Sequence, residues 1–215
     1  MTSRLPLLVF AKAPVPGQVK TRLMPALTPQ AAALVHERLV RRTLALARAL
    51  PGVDARLCCA PQAAHPECQR WAAEFGIPSQ SQRGVGLGER MHWALQRALR
   101  RAPGALLMGC DAPDLSLDWL AEARDALSVQ DAVLGPALDG GYLLIGLTQP
   151  QPALFTGMPW GSDRVLEITR QRLRAAGLTW HELPPLADLD RPEDLARYPE
   201  LGAEGETLGE LPIHG

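Results

Sequence analysis

Lysine is almost missing from this chain. Of its 22 basic residues only Lys12 and Lys20 are lysine, and both lie in one short segment near the start. A basic excess is missing too. A net charge of −1 and a pI near 6.5 exclude a broad nucleic-acid or anionic-membrane surface as the main partner, because such partners need a positive field. The four cysteines (Cys58, Cys59, Cys68 and Cys110) show no CxxC spacing and no secretory framework. Reduced thiols in a cytoplasm are expected, and a zinc site is not. No apolar run reaches membrane-spanning length, and no long apolar stretch precedes a small-residue cleavage site, so a soluble cytoplasmic protein is expected. Two glycine fingerprints are absent as well. There is no GxGxxG after a strand, and GQVKT lacks the glycine that a Walker loop carries directly before its lysine.

What is present is organised around Leu5 to Leu23, LPLLVFAKAPVPGQVKTRL. Leu5 to Ala11 has the length and content of a buried parallel strand, and Pro14, Pro16 and Gly17 forbid its continuation. The chain must turn at the strand's carboxyl end, where open α/β sheets bind ligands. Gly17 lets backbone N–H groups approach an anion, while Lys20 and Arg22 supply positive charge. An ammonium is a compact point charge suited to phosphate, which favours that role for Lys20; for Lys12 a plain strand end explains as much.

At 215 residues the chain fits one domain, expected over 1–198, with a loosely held Gly/Glu-rich tail at 199–215. Thr28 and Pro29 open a helix that ends before Pro51, and VDARLCCA reads as a second strand. His36, inside that helix, receives no role. A helix from Pro66 to Phe75 is closed by Gly76. Gly84, Gly86 and Gly88 precede an amphipathic helix from about Glu89 to Arg101. That loop could approach a nucleotide base or ribose with Arg90 near the helix start, or could simply connect.

GALLMGC then forms a buried strand ending in Asp111, at the same sheet edge as the first loop. Asp111 is the best metal-ligand candidate, since hard carboxylate oxygens suit Mg²⁺. Asp114 is explained by turn chemistry, with Ser116 capping the next helix. Asp139-Gly140-Gly141 between apolar runs is a hairpin signal; the same residues could open space for an acceptor with Asp139 projecting into it. From Pro150 to Gly161 the chain is irregular. Phe155, Met158, Pro159 and Trp160 are expected to be exposed there, as a lid or a homodimer contact. Ser162 or Asp163 is expected to cap the helix that follows. Asp188 and Asp190 are poorly explained by capping and could complete a metal shell, whereas the helix dipole accounts for Glu193 and Asp194.

Six segments, FAKAPVPGQVKTRL, LGERM, MGCDAPDL, LDGGYLLIGL, WGSDRVL and DLDRPEDL, together resemble in content and order the DUF2064 group, some members of which are identified as arsenosugar-biosynthesis glycosyltransferases. That group belongs to the nucleotide-diphospho-sugar transferase superfamily. The first segment is also similar to the loop of 2-phospho-lactate and molybdenum-cofactor guanylyltransferases. The resemblance implies an α/β fold of GT-A type: a three-layer α/β/α sandwich on a mostly parallel Rossmann-like sheet, with a late antiparallel hairpin. It implies a catalytic set of Lys20, Arg22 and Asp111. Ala11, Pro16, Gly17, Gly88 and Arg90 would join Lys20 and Arg22 around the nucleotide. Asp111 and Asp190 would hold Mg²⁺ or Mn²⁺, and Asp139, Gly140, Gly141 and Asp163 would lie on the acceptor side. The substrates would be a nucleotide or nucleotide-sugar and a small-molecule acceptor. Nucleotidyl transfer is preferred, because a Lys/Arg loop suits a triphosphate; glycosyl transfer is the alternative. A nucleotide-binding module without turnover is a third reading, prompted by Gly86 where the family usually has an acidic residue.

Overall fold

The computed structural model describes residues 4–202. Its strands are β1 (Leu5–Lys12), β2 (Val53–Ala60), β3 (Ser79–Ser81), β4 (Ala105–Met108), β5 (Ala132–Pro136), β6 (Tyr142–Leu147) and β7 (Trp180–Glu182). They form one sheet in the order β3-β2-β1-β4-β6-β5-β7. β1 pairs in parallel with both β2 and β4, whereas β6 runs antiparallel between β4 and β5. The chain leaves β1 outward through β2 and β3, then returns to the other side of β1 at β4. That reversal opens a crevice outside the carboxyl ends of β1 and β4.

Helices cover both faces: α1 (Pro29–Ala49), α2 (Pro66–Phe75), α3 (Leu87–Leu99), α4 (Leu117–Ala126) and α5 (Val165–Ala175), with short α6 (Pro192–Leu195) and α7 (Pro199–Gly202) at the end. Strand alternation assigns the layers. Leu7, Val9 and Ala11 pack with α1, α2 and α4, while Leu8 and Phe10 pack on the other face with α3 and α5. The expected three-layer α/β sandwich with a late antiparallel hairpin is the observed one. No described helix is long and apolar enough to cross a membrane.

Three local expectations are corrected. Phe155 and Met158 are buried, not exposed: Arg172 donates to the carbonyls of Ala153 and Thr156 at 2.7 and 2.8 Å, drawing this stretch onto α5 so that Phe155 fills the core between α3 and α5. The apolar surface that suggested a homodimer is therefore mostly internal. Neither Ser162 nor Asp163 caps α5, whose N-cap is Arg164; Ser162 instead donates to Pro159 O and accepts from the Arg164 amide. The polar edge strand β3 carries no alternation that a sequence reading could detect. Within the stretch read as tail, residues 199–202 form α7. Leu201 is buried and its carbonyl accepts from Arg38 at 2.8 Å. Residues 203–215 lie outside the described residues.

Candidate active site at the β1–β4 switch point

The loop after β1 is shaped by its punctuation. Gly17 has φ +77°, and a Cβ there would meet nothing, so glycine is needed for the backbone conformation rather than for space. Lys20 also lies in the left-handed region, at φ 47° and ψ 39°, where a residue with a Cβ is uncommon. Its side chain explains what holds it there. The Lys20 ammonium, only 3 % exposed, makes a tight ion pair with Asp111 and donates to Leu189 O at 2.6 Å. It also lies 3.8 Å from Asp190. Arg22, 58 % exposed, donates to Asp190 at 2.7 Å. Residues 91 and 168 positions apart in sequence are thereby joined across the crevice.

Asp111 is set at the end of β4, where the Leu189 amide donates to its carbonyl at 2.8 Å. Burial pushes its carboxyl up, but the Lys20 charge and hydrogen bond outweigh that and hold it below the usual carboxylate range. Asp188 goes the other way: burial, the Asp139 charge and, more weakly, the Asp190 charge raise its carboxyl. Asp194 organises this last loop, accepting from the amides of Asp190 and Arg191 at 3.0 and 2.8 Å. Its role was invisible in the sequence, where a first-turn carboxylate already has a sufficient reason to be present.

Lys20, Arg22, Asp111, Asp188 and Asp190 line one cavity of about 650 Å³. Its charged lining also includes Lys12. Phe10, Met91, Tyr142, Leu143 and Trp160 supply apolar and aromatic wall. Ala11, Arg90, Asp139 and Gly141 also line it. Asp139 accepts from the Gly141 amide at 2.8 Å, closing the hairpin turn while facing the cavity. Arg90 folds back to donate to Gly84 O at 3.0 Å.

The structure does not bring five expected residues to the cavity wall. Pro16 and Gly17 stand outside it, shaping the turn that delivers Gln18 to Arg22. Gly88 is buried against the Phe155–Trp160 segment, where a Cβ would stand 2.6 Å from Phe155 O and 2.8 Å from Trp160 Nε1. Gly140 packs on the backbone of Asp163, which is itself exposed.

His36 was missed. It is buried, lines the cavity, and its Nε2 donates to Lys12 O at 3.0 Å; a carbonyl only accepts, so that nitrogen carries the proton. A histidine within a helix carries no sequence signal for this, because the contact depends on α1 crossing beneath the β1 loop. Burial lowers its pKa against the partial support of the Lys12 carbonyl and the Asp111 charge. A base whose folded pKa is depressed loses stability as pH falls below its ordinary 6.5, because the unfolded chain takes the proton first. Wild type should therefore lose stability between pH 7 and 5 more steeply than a His36→Gln variant, as read from denaturant midpoints. Parallel curves would reject the buried neutral ring.

Hard oxygen donors suit a dication such as Mg²⁺. Asp111 (49 % exposed) and Asp190 (32 %) offer carboxylates at the cavity. Among the described residues no group of three His, Cys, Asp or Glu is placed to hold a metal, so substrate phosphate and water would supply the other ligands.

No curated protein matches the chain in sequence. A crystal structure of a proposed nucleotide-diphospho-sugar transferase from Desulfovibrio desulfuricans G20 is 32% identical, covering 91% of this chain and 87% of that one with a TM-score of 0.82. Two more distant structures share the fold. They are 4-diphosphocytidyl-2C-methyl-D-erythritol synthase from Anaerococcus prevotii DSM 20548 (8% identity, 92% and 99% covered, TM-score 0.60) and inositol-1-phosphate CTP transferase from T. maritima (12%, 93% and 95%, 0.56). Residues 43–162 match the family described as an uncharacterized protein conserved in bacteria, a span that takes in Arg90, Asp111 and the Asp139 hairpin. With more than half of its length matched, and with a 32% identical structure superposing over nine-tenths of it, the chain belongs to the DUF2064 family.

Proposed function

We propose that this protein is a divalent-metal-dependent transferase that uses an activated nucleotide, with nucleotidyl transfer to a small acceptor as the preferred reaction. One observation carries the reading: the cations of the first loop and the carboxylates of Asp111 and Asp190 meet at a single crevice, at the fold's ligand-binding edge. Polyphosphate would lie against Arg22 and Lys12, and the acceptor toward the Asp139 hairpin and Trp160, all of which line the cavity. An acceptor oxygen would attack the α-phosphorus as the bond to the β-phosphate breaks, with pyrophosphate as leaving group. Arg22 would neutralise charge on that group. Asp111 and Asp190 would hold the metal, which when bound supplies Lewis-acid stabilisation of phosphate oxygens. His36, through the Lys12 carbonyl, would keep the loop in register.

Glycosyl transfer from a nucleoside-diphosphate sugar is the second reading, favoured by the D. desulfuricans relative's description. The same charged groups would then stabilise a departing nucleoside diphosphate. Incubation with panels of NTPs and NDP-sugars, Mg²⁺ and small hydroxylated or phosphorylated acceptors separates the readings. Pyrophosphate release is expected. Free nucleoside diphosphate with sugar transfer would replace it by the second reading, and metal-dependent binding without either product would identify a binding module.

A further inference from the structure

We propose that Lys20 and a divalent cation are alternative occupants of the Asp111–Asp190 carboxylates, so that metal enters only together with a polyphosphate that draws the ammonium away. The inference rests on the reading of those carboxylates as metal-holding and adds an order of events to it. The Lys20 ammonium sits among the oxygens a dication would need: it pairs with Asp111, donates to Leu189 O at 2.6 Å and lies 3.8 Å from Asp190. With its side chain 3 % exposed it does not face solvent as a free phosphate hook would; that position belongs to Arg22. The uncommon left-handed backbone of Lys20 is retained although Gly17, three residues earlier, shows that the loop uses glycine where only a turn is needed.

Charge makes the two occupants exclusive. A dication placed on Asp111 beside a fixed ammonium meets direct repulsion in a partly desolvated site, and it finds Asp190 already shared with Arg22. Phosphate oxygens change that balance. They offer the ammonium an equivalent acceptor within the reach of its flexible four-carbon stem, and its departure frees the Asp111 oxygen. Removing the ammonium by substitution should have the same effect on the carboxylates as a bound polyphosphate.

The test uses Mn²⁺ as the probe, followed by the loss of its free paramagnetic signal on titration with the whole protein. Without nucleotide, Lys20→Met should bind Mn²⁺ at least tenfold more tightly than wild type, and adding Asp111→Asn should abolish the gain. Lys20→Gln, which keeps a polar head, serves as a second charge-free variant. In wild-type protein, inorganic tripolyphosphate and Mn²⁺ together should raise the melting temperature, whereas neither alone should; this arm needs no variant. Wild-type protein binding Mn²⁺ alone as tightly as the Met and Gln variants would overturn the exchange and leave the metal reading standing. Absence of Mn²⁺ binding in both variants, with no joint effect on wild-type melting, would remove the metal from Asp111 altogether and the exchange with it.

Discussion

Asp111→Asn should lower turnover by at least about 10²-fold while leaving the chain folded. The substitution keeps the size of the side chain and an oxygen that can accept from Lys20, but removes the charge that pairs with the ammonium and would bind a dication. Folding should survive because Asp111 is half exposed and Asp190 lies 3.8 Å from the same ammonium. The stability difference from wild type should depend on pH in a definite direction. A carboxyl held below its ordinary 3.8 stabilises the fold above that value, and the contribution is lost as pH falls through the folded-state pKa. The gap between wild type and variant should therefore be widest near neutrality and narrow in acid. Product assays on the substrate that wild type accepts, with melting curves at pH 7 and pH 3, check both halves. Turnover equal to wild type would remove Asp111 from the reaction.

The largest loss of stability is expected at Gly140. Its φ is +89°, and a Cβ there would stand 2.2 Å from the carbonyl oxygen of Asp163, a backbone atom that cannot swing aside. The Gly140 carbonyl also accepts from the Leu166 amide at 2.9 Å, so the hairpin is tied to the first turn of α5. Gly140→Ala must strain its own backbone or push the 163–166 segment away, at a cost of about 2–4 kcal/mol. In a chain of this size that corresponds to a fall in melting temperature of about 5–15 °C. Gly141→Ala is the control. Gly141 has no positive φ, and its nearest neighbour is the far end of the Asp139 side chain at 3.1 Å, which can yield. If the two alanine variants melt together, the close approach at Asp163 is not what fixes the hairpin.

Most of the architecture was legible without coordinates because its signals are local. Thr28 before Pro29 marks the start of α1, and Thr28 Oγ1 does accept from the Ala31 amide at 3.1 Å. Gly76 after Phe75 marks the end of α2, in the left-handed conformation that only glycine takes readily. The apolar runs of β1 and β4 identify buried parallel neighbours, and both end at polar, proline-bearing turns. Ser79 to Ser81 carries no such signal, since an edge strand of three polar residues is paired only because β2 presents its free edge.

By itself the sequence determined the alternating α/β order, the cationic, proline- and glycine-punctuated loop after the first strand and the carboxylate following the fourth. Each of these is written in a few neighbouring residues whose backbone preferences act over one turn or one strand. Only the tertiary structure decided what those groups do to one another. Lys20 is fastened to Asp111 and Leu189 rather than offered to solvent, Asp194 sets the loop that presents Asp190, and His36 holds the Lys12 carbonyl from below. Gly88 turned out to serve helix packing against Trp160, not the cavity wall. The physical reason is range: propensity and hydrophobic period act between near neighbours, whereas ion pairing and close packing act through space between residues far apart in the chain.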